Sequence, residues 1–382
     1  MAAHDMRDNN ATTFINGLMP YLPGTTPSQR YRVEQWLPYL QSKGISIDLR
    51  PFADDGLMQL LHKPGRRSAK AVTSAIRFCN RALDVMATPR YDAVLIHRTA
   101  CVAGPALLER CLPLFRRPVI YDFDDAIFML HTTEANKRFG WLKFPGKTAT
   151  ICRLSAHVIV GNSYLAEYAR RYNSRVTIIP SSVDTELYLP AERARAAGRI
   201  VIGWMGSSTS QTHLELFAPV LRELAARRDI ELRIVSDREP ALQGIPFVWR
   251  RWSASAEVDE LAEFDIGIMP MPDDAWARGK CAMKALLYMS MAIPAVCSAV
   301  GTNREVINHG DNGFLVTTTE EWIGHLEALI DDASLRQRIG RAGRQRIESH
   351  YSTRHCAERF AQVVRETLAQ PQPVISYDPS IS

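Results

Sequence analysis

Cysteine is sparse and unpatterned: seven residues in 382, at positions 79, 101, 111, 152, 281, 297 and 356, odd in number and never spaced as a CxxC pair. This argues against a disulfide framework or a zinc site and fits a reduced, cytosolic chain. Long apolar runs are missing too. The amino terminus, MAAHDMRDNN, has acidic and polar residues where a signal peptide needs an apolar core. The uncharged stretch Ala285–Val300 contains Pro294 and is shorter than the roughly 20 residues of a spanning helix, so it reads as a buried helix feeding a buried strand. No short-period repeat suggests a solenoid. Between Asp55 and Asp84 there is no acidic residue, while Lys63, Arg66, Arg67, Lys70, Arg77 and Arg81 stand among Ala71, Val72, Ala75, Ile76, Phe78 and Ala82 at helical spacing. Such a basic amphipathic helix suits an anionic membrane surface or an ordinary solvated face equally.

What is present is a soluble globular composition, 46% hydrophobic and 23% charged, in a chain about twice the usual size of one domain. Two domains with a cleft between them follow as the expectation. The net charge of +5 hints at anionic partners without selecting a class. Short β-type runs (TTFIN, ISIDLR, AVLIHR, PVIYDF, HVIVGN, VTIIP) alternate with helical segments through the first half. After a polar, proline-bounded stretch near 180–198 the rhythm resumes with RIVIGWM, ELRIVS, FDIGIMP, IPAVCS and NGFLV. This predicts an α/β class with two doubly wound parallel sheets. Thr26, Pro27 and Gln29 read as a capping box opening a helix through Tyr31, Val33, Trp36, Leu37 and Leu40, kinked at Pro38 and ending near Gly44. After Glu320 the chain reads as helix, with Arg336, Arg338, Arg341, Arg344 and Arg346 on a solvated face, and the last dozen residues as a loose tail.

In doubly wound sheets ligands bind at the carboxyl ends of strands. Three such ends carry suitable residues. In IGWMGSSTSQTHLELF, Gly203 and Gly206 bracket a strand end, and Ser207, Ser208, Thr209 and Ser210 precede a helix; small residues there let backbone N–H groups approach a phosphate. Serine-rich caps are also commonplace. In WARGKCAMKALLYMSMAIP, Gly279 and Lys280 stand at the mouth of a helix expected to begin near Cys281, with Lys284 one turn in and Arg278 just outside. Cations at the positive end of a helix make sense when an anion of two or more charges sits there, and a diphosphate answers that description. The alternative is that Arg278 and Lys284 reach into solvent. In VIYDFDDAIF, Asp122, Asp124 and Asp125 suit metal binding, acid–base or nucleophilic work, hydrogen bonding to sugar hydroxyls, or capping of the next helix. His97 and His131 can face the same region.

FDIGIMPMPDDAWARGKCAMKALLYMSMAIPAVCSAVGTNREVINHGDNGFLV resembles the carboxy-terminal signature of the retaining GT-B-fold glycosyltransferases of family 4. IPSSVDTELY is similar to the segment by which that family leaves its first domain, and YLPGTTPSQRYRVEQWLPYLQSKGISIDL to its opening strand, glycine loop and helix. The resemblance implies two Rossmann-like domains: an acceptor-binding domain over 1–185 and a nucleotide-sugar domain over 186–355, followed by a helix over 356–382 that can cross back, and a tail. It implies transfer of a hexose or deoxyhexose from a nucleoside-diphosphate sugar to a glycan or lipid-linked glycan, with no cofactor and no metal, in cell-surface polysaccharide or glycoconjugate synthesis. The place would be the cytoplasm or the inner face of the membrane, with residues 63–81 as the membrane contact and no nucleic acid involved.

By the same resemblance Lys280 and Arg278 contact the diphosphate, and Gly206, Ser207 and Ser208 line it with Gly279, Cys281 and Lys284. Trp252, after the strand FVWRR, is the candidate nucleobase wall. Gly24, Arg30, His97 and Asp125 fall on the acceptor side, and Asp122 or Asp124 near the transferred sugar. The chain departs from the family where two glutamates are usual: Gly279 and Leu287 occupy those places, so either another residue, Glu305 or Asp273, holds the ribose or the ribose is held weakly. An inactive sugar-nucleotide-binding relative therefore competes with the enzyme. YDFDDAIF is also similar to the first motif of haloacid dehalogenase-type phosphatases, with Asp122 as nucleophile and Asp124 as acid/base.

Overall fold

The structure, a computed structural model, describes residues 12–62, 67–102, 104–129, 144–190 and 199–370. Lys63, Arg66, His131, the 191–198 stretch and the tail from 371 lie outside the described residues. The chain divides into two compact units, one of Met1–Pro180 with Cys356–Ser382, the other of Ser181–His355. The division falls at 180/181, five residues before the expected boundary, and the helix Thr353–Leu368 belongs with the first unit from Cys356 onward.

The first unit holds β1 (Thr13–Met19), β2 (Ile45–Pro51), β3 (Ala93–His97), β4 (Val119–Phe123), β5 (His157–Val160) and β6 (Val176–Ile178), paired in parallel in the order β2-β1-β3-β4-β5-β6. The second holds β7 (Ile200–Met205), β8 (Ile230–Ser236), β9 (Val248–Arg251), β10 (Ile266–Met269), β11 (Ala295–Ser298) and β12 (Phe314–Val316), all parallel in the order β12-β11-β10-β7-β8-β9. Every run read as a strand forms one. Read from its first strand outwards, the second sheet has the dinucleotide-binding order, and the first the flavodoxin-like order with one strand added. Each order has a switch point, between β1 and β3 in one unit and between β7 and β10 in the other.

Buried faces explain the runs. β3 and β4 are buried at every position, as expected of parallel strands covered on both faces. In the first unit Trp36, Leu40 and Ile45 join Cys356, Ala357, Phe360, Ala361 and Val364 of the returning helix in one core. The second unit packs Trp204, Leu214, Leu221, Leu224 and Ile234 with Trp322, Leu326 and Leu329.

Three local expectations are corrected. Thr26 makes no capping bond; its hydroxyl is buried without a partner, Gln29 donates instead to Glu34, and the helix breaks at Val33 between Pro27–Arg32 and Leu37–Ser42. The helix Arg67–Met86 turns Arg81 inward and leaves Arg77 only partly exposed. Arg77 pairs with Asp54, and Arg81 is buried, donating to the Met19 and Arg50 carbonyls at 2.8 Å. Of the five arginines assigned to a solvated face, Arg338 and Arg341 are exposed, while Arg344 is turned in, donating to the carbonyls of Thr185, Tyr188 and Ser290. Arg336 likewise donates to Leu329 and Ile330, and Arg346 to Glu305.

Candidate functional site

In the second unit β7 and β10 pair only at Ile202↔Ile266 and Gly203↔Gly267, then part. Tyr288 fills the parting. Its hydroxyl accepts from the Met205 N–H at 3.0 Å and donates to the Ile268 carbonyl at 3.3 Å, and its ring lies where a Cβ on Gly267 would be 2.3 Å away. Beyond this split lies the loop after β10, where the helix expected to begin near Cys281 starts later: Ala275–Arg278 is one turn, Ala282 takes a left-handed φ of 54°, and the helix proper is Met283–Ser290. No side chain caps that helix, so its first N–H groups are left for another acceptor. Thr302, after β11, donates from its hydroxyl to the Lys280 carbonyl at 2.6 Å and fixes the loop.

Lys284 lies in the first turn of this helix, mostly buried, its ammonium 5.2 Å from the centre of the Trp204 ring and 3.4 Å from Ser210 Oγ. No acidic side chain pairs with it among the described residues. Burial, with the Lys280 charge added, pushes its pKa down to about 7, Cys297 acting the other way. Gly206 closes the corner: a Cβ there would stand 2.7 Å from Lys284 Cε, 2.7 Å from the Trp204 ring and 2.8 Å from Ser210 Oγ. Only glycine permits this approach.

The other donor-side residues are dispersed. Ser207 is exposed, its hydroxyl 2.7 Å from that of Thr209. Ser208 is tied to Asp237 through both its N–H and its hydroxyl. Arg278 is half-exposed and paired with Asp273 at 2.7 Å, and Asp273 is held below the usual carboxylate range by that bond. Lys280 lies over Trp276, 5.7 Å from the ring centre. Gly279, Cys281 and Leu287 are buried, whereas Glu305 is exposed on the short helix Asn303–Val306. Trp252 follows β9, half-buried, its indole donating to Glu257 at 2.7 Å.

In the first unit the polar residues gather at the other switch point. Arg32 and Asp122 form a buried pair, the guanidinium donating through Nε at 3.1 Å and Nη2 at 2.5 Å, and through Nη1 to the Ile179 carbonyl at 2.7 Å. His97 Nδ1 lies 2.7 Å from the other side of the carboxylate, and its Nε2 lies 2.9 Å from Ser28 Oγ. Ser28 donates to Asp124 at 2.6 Å, and Arg98 approaches Asp124 at 3.7 Å and Asp125 at 3.1 Å. Burial works to raise the Asp122 pKa, but Arg32 and His97 more than offset it and hold it below its ordinary value. Burial opposes the Arg98 charge as well, and Asp125, Asp124, Tyr21 and Tyr121 together hold its pKa above its ordinary value.

Asp122 is thereby corrected from reacting group to positioning residue. At 1% exposed, with its oxygens taken by Arg32 and His97, it reaches no substrate, and the phosphatase reading loses its nucleophile. Around it Ser28, Asp125 and Arg98 are partly exposed while Asp124 is buried behind Ser28, a set of donors and acceptors suited to hydroxyl groups. Arg98 takes a left-handed φ of 59°, an uncommon conformation at a strand end, fixed by its N–H donating to the Asp122 carbonyl at 2.7 Å and its carbonyl accepting from Tyr121 at 2.8 Å. Gly24 lies on the exposed loop after β1, its N–H donating to Glu34 at 2.8 Å, and Arg30 lies over the Tyr31 ring. Neither joins the cluster through these contacts. Sequence reasoning missed Ser28, Arg32, Arg98, Trp204, Thr302 and Tyr288; only Ser28 and Arg32, one helical turn apart behind the glycine loop, left a visible signal.

Residues 199–332 match the family model described as glycosyl transferases group 1. By shape the chain is similar to sucrose-phosphate synthase from Thermosynechococcus elongatus, with TM-score 0.68, 15% identity, and 94% of this chain and 99% of that one covered. The fold is GT-B. A glycosyltransferase from Rickettsia africae ESF-5 shares this GT-B fold at TM-score 0.67, 15% identity, 95% of this chain and 100% of that one. HepE from Anabaena, solved with UDP and glucose, does so at TM-score 0.63, 14% identity, 93% and 100%. A comparison with curated proteins finds no match. The matched segment of this GT-B chain holds Trp204, Gly206, Ser210, Lys280 and Lys284, the corner at the β7/β10 switch point.

Proposed function

We propose that the protein is a glycosyltransferase that takes a hexose or deoxyhexose from a nucleoside-diphosphate sugar and passes it, with retention, to a glycan or lipid-linked glycan in cell-surface polysaccharide or glycoconjugate synthesis. The observation that carries the reading is Lys284: a mostly buried ammonium with no acidic partner among the described residues, beside Lys280 and an uncapped helix, at the switch point of a sheet in dinucleotide-binding order. A diphosphate supplies the missing negative charge. HepE, of the same fold, was solved with UDP and with UDP-glucose, which supports a nucleotide sugar as donor here.

In outline, the acceptor hydroxyl attacks from the face the diphosphate leaves, and the departing β-phosphate oxygen assists its deprotonation. The lysines offset the charge growing on the leaving group, so no metal and no side-chain nucleophile is called for. Ser28, Asp125 and Arg98 hold hydroxyls on the acceptor side, with Asp124 orienting the Ser28 hydroxyl. Peripheral contact with an anionic membrane draws on fewer charges than the sequence suggested, because Arg77 and Arg81 are engaged within the first unit.

Thermal stabilisation by a panel of nucleoside diphosphates and their sugars without metal tests the donor site, with Lys280→Ala as control. A selective upward shift lost in the variant supports it; no shift with any member refutes it. In turnover, Lys280→Ala should lose on the order of 100-fold, as for removal of one oxyanion-type donor. A second reading, binding without transfer, is favoured by the absence of carboxylates at Gly279 and Leu287, and donor binding with no turnover on any acceptor would select it.

A further inference from the structure

A cavity of about 260 Å³ opens in the first unit beside the Arg67–Met86 helix, lined by Phe52, Leu57, Ser74, Ala75, Phe78 and Val102, with Gly104 at its edge. Its walls are almost wholly apolar. It is smaller than the roughly 300 Å³ at which pockets begin to engulf whole drug-sized molecules, so it suits part of a ligand whose remainder lies outside. Outside, the same helix leaves Val72, Ile76, Leu83 and Met86 from 52 to 66% exposed, with Cys79 exposed between them. These positions, spaced four and three apart, form one continuous stripe, and Ala75 at the cavity rim borders it. The charged residues over this length face elsewhere, Arg77 to Asp54 and Arg81 to Asp84.

The cavity sits at the carboxyl edge of the sheet. Phe52 and Ala53 follow β2, and Cys101 and Val102 follow β3, the strand that delivers His97 and Arg98. Tyr21, after β1, links the two environments. It packs against the Phe52, Ala53, Leu57 and Cys101 cluster, and it is near enough to Arg98 to stabilise that charge. The polar cluster of Ser28, Asp125 and Arg98 and an apolar cavity thus share one edge of one sheet, with an exposed apolar stripe leading away.

We propose that the cavity and the stripe seat the hydrocarbon part of the acceptor, and that the acceptor is an amphiphile: a hydrocarbon chain bearing a hydroxylated head that reaches Ser28, Asp125 and Arg98. The proposal rests on the glycosyltransferase reading for the word acceptor, and on the first unit alone for the site. A free glycan has nothing to place against Phe52, Phe78 and Val102.

Calorimetric titration with methyl, hexyl and octyl β-glucoside, each below its micelle concentration, tests it. Affinity should rise with chain length, by up to about fourfold per methylene while each added group is buried. Ala75→Trp, at an exposed rim position that tolerates a large side chain, should plug the cavity and flatten the series, with an unchanged far-ultraviolet spectrum showing that it folds. A flat series in the native protein overturns the proposal. So does a series unchanged in Ala75→Trp, including the case where that variant loses adsorption to phosphatidylglycerol vesicles, which would assign the stripe to a bilayer. The nucleotide panel run on both proteins keeps the two readings apart: chain-length dependence without nucleotide binding removes the donor reading and leaves the amphiphile site standing.

Discussion

Lys284 should make donor binding a proton-uptake reaction. In the empty protein its pKa is lowered from 10.5 to about 7 by burial and by Lys280, with Cys297 acting in the opposite sense; Tyr288, on the same helix, and Cys297 are both pushed up by burial and stay neutral. A bound diphosphate returns Lys284 towards its ordinary value. At about 1.4 kcal/mol per unit, the full return from about 7 to 10.5 bounds the coupling near 5 kcal/mol, and the partial exposure of the side chain reduces the realised part. About half a proton should be taken up at pH 7 and nearly one at pH 8, with affinity falling up to tenfold per pH unit above 7 until the bound-state pKa is reached. A nucleotide sugar is the right titrant, because its diphosphate diester does not itself titrate near neutrality. Calorimetry at pH 8 in two buffers of different ionisation enthalpy reads the uptake directly. Donor binding with no proton exchange at pH 8 would refute the reasoning, as would uptake that survives in Lys284→Met.

The same group predicts a stability profile. Its folded pKa lies below its unfolded one, so the unfolded chain binds the extra proton between about 7 and 10.5, and its contribution makes stability rise with pH across that window. Lys284→Met should therefore stabilise the ligand-free protein more at pH 6 than at pH 10, read from urea midpoints. Asp122→Asn leaves Arg32 buried without its counter-charge and should cost about 3–5 kcal/mol, and a loss below about 1 kcal/mol would show that Arg32 finds another partner. Gly206→Ala puts a Cβ 2.7 Å from Lys284 Cε. It should cost about 1–3 kcal/mol as overpacking and abolish the nucleotide-induced thermal shift; an intact shift would place the donor elsewhere.

The strands were legible because buried parallel strands write themselves as short apolar runs such as AVLIH and VIYDF, whatever they pack against. Strand order was not, since it follows from which helix crosses which face, and no local pattern records that. At the candidate site, Gly279 and Lys280 with Lys284 drew attention to the loop after β10, but the left-handed Ala282 that delays the helix to Met283 has no sequence marker, alanine being a poor candidate for that conformation. Asp122 looked reactive for its position at a strand end, and only the fold brings Arg32, ninety positions away, to occupy it. The basic run at 63–81 gave no sign that Arg81 turns inward, for a related reason. Charge counts along a helix do not say which face is inward, and Arg81 finds its partners in the carbonyls ending β1 and β2.

The returning helix has a consequence for biosynthesis. Trp36, Leu40 and Ile45 emerge from the ribosome more than 300 residues before Cys356, Phe360 and Val364, which complete their core, whereas the second unit is one uninterrupted segment, Ser181–His355. Domains generally fold as units during synthesis, so the segment made later is the first whose chain is complete, and the first unit waits with an apolar face uncovered until the last helix arrives. A premature stop just before Cys356 would leave the second unit whole and expose the first to aggregation.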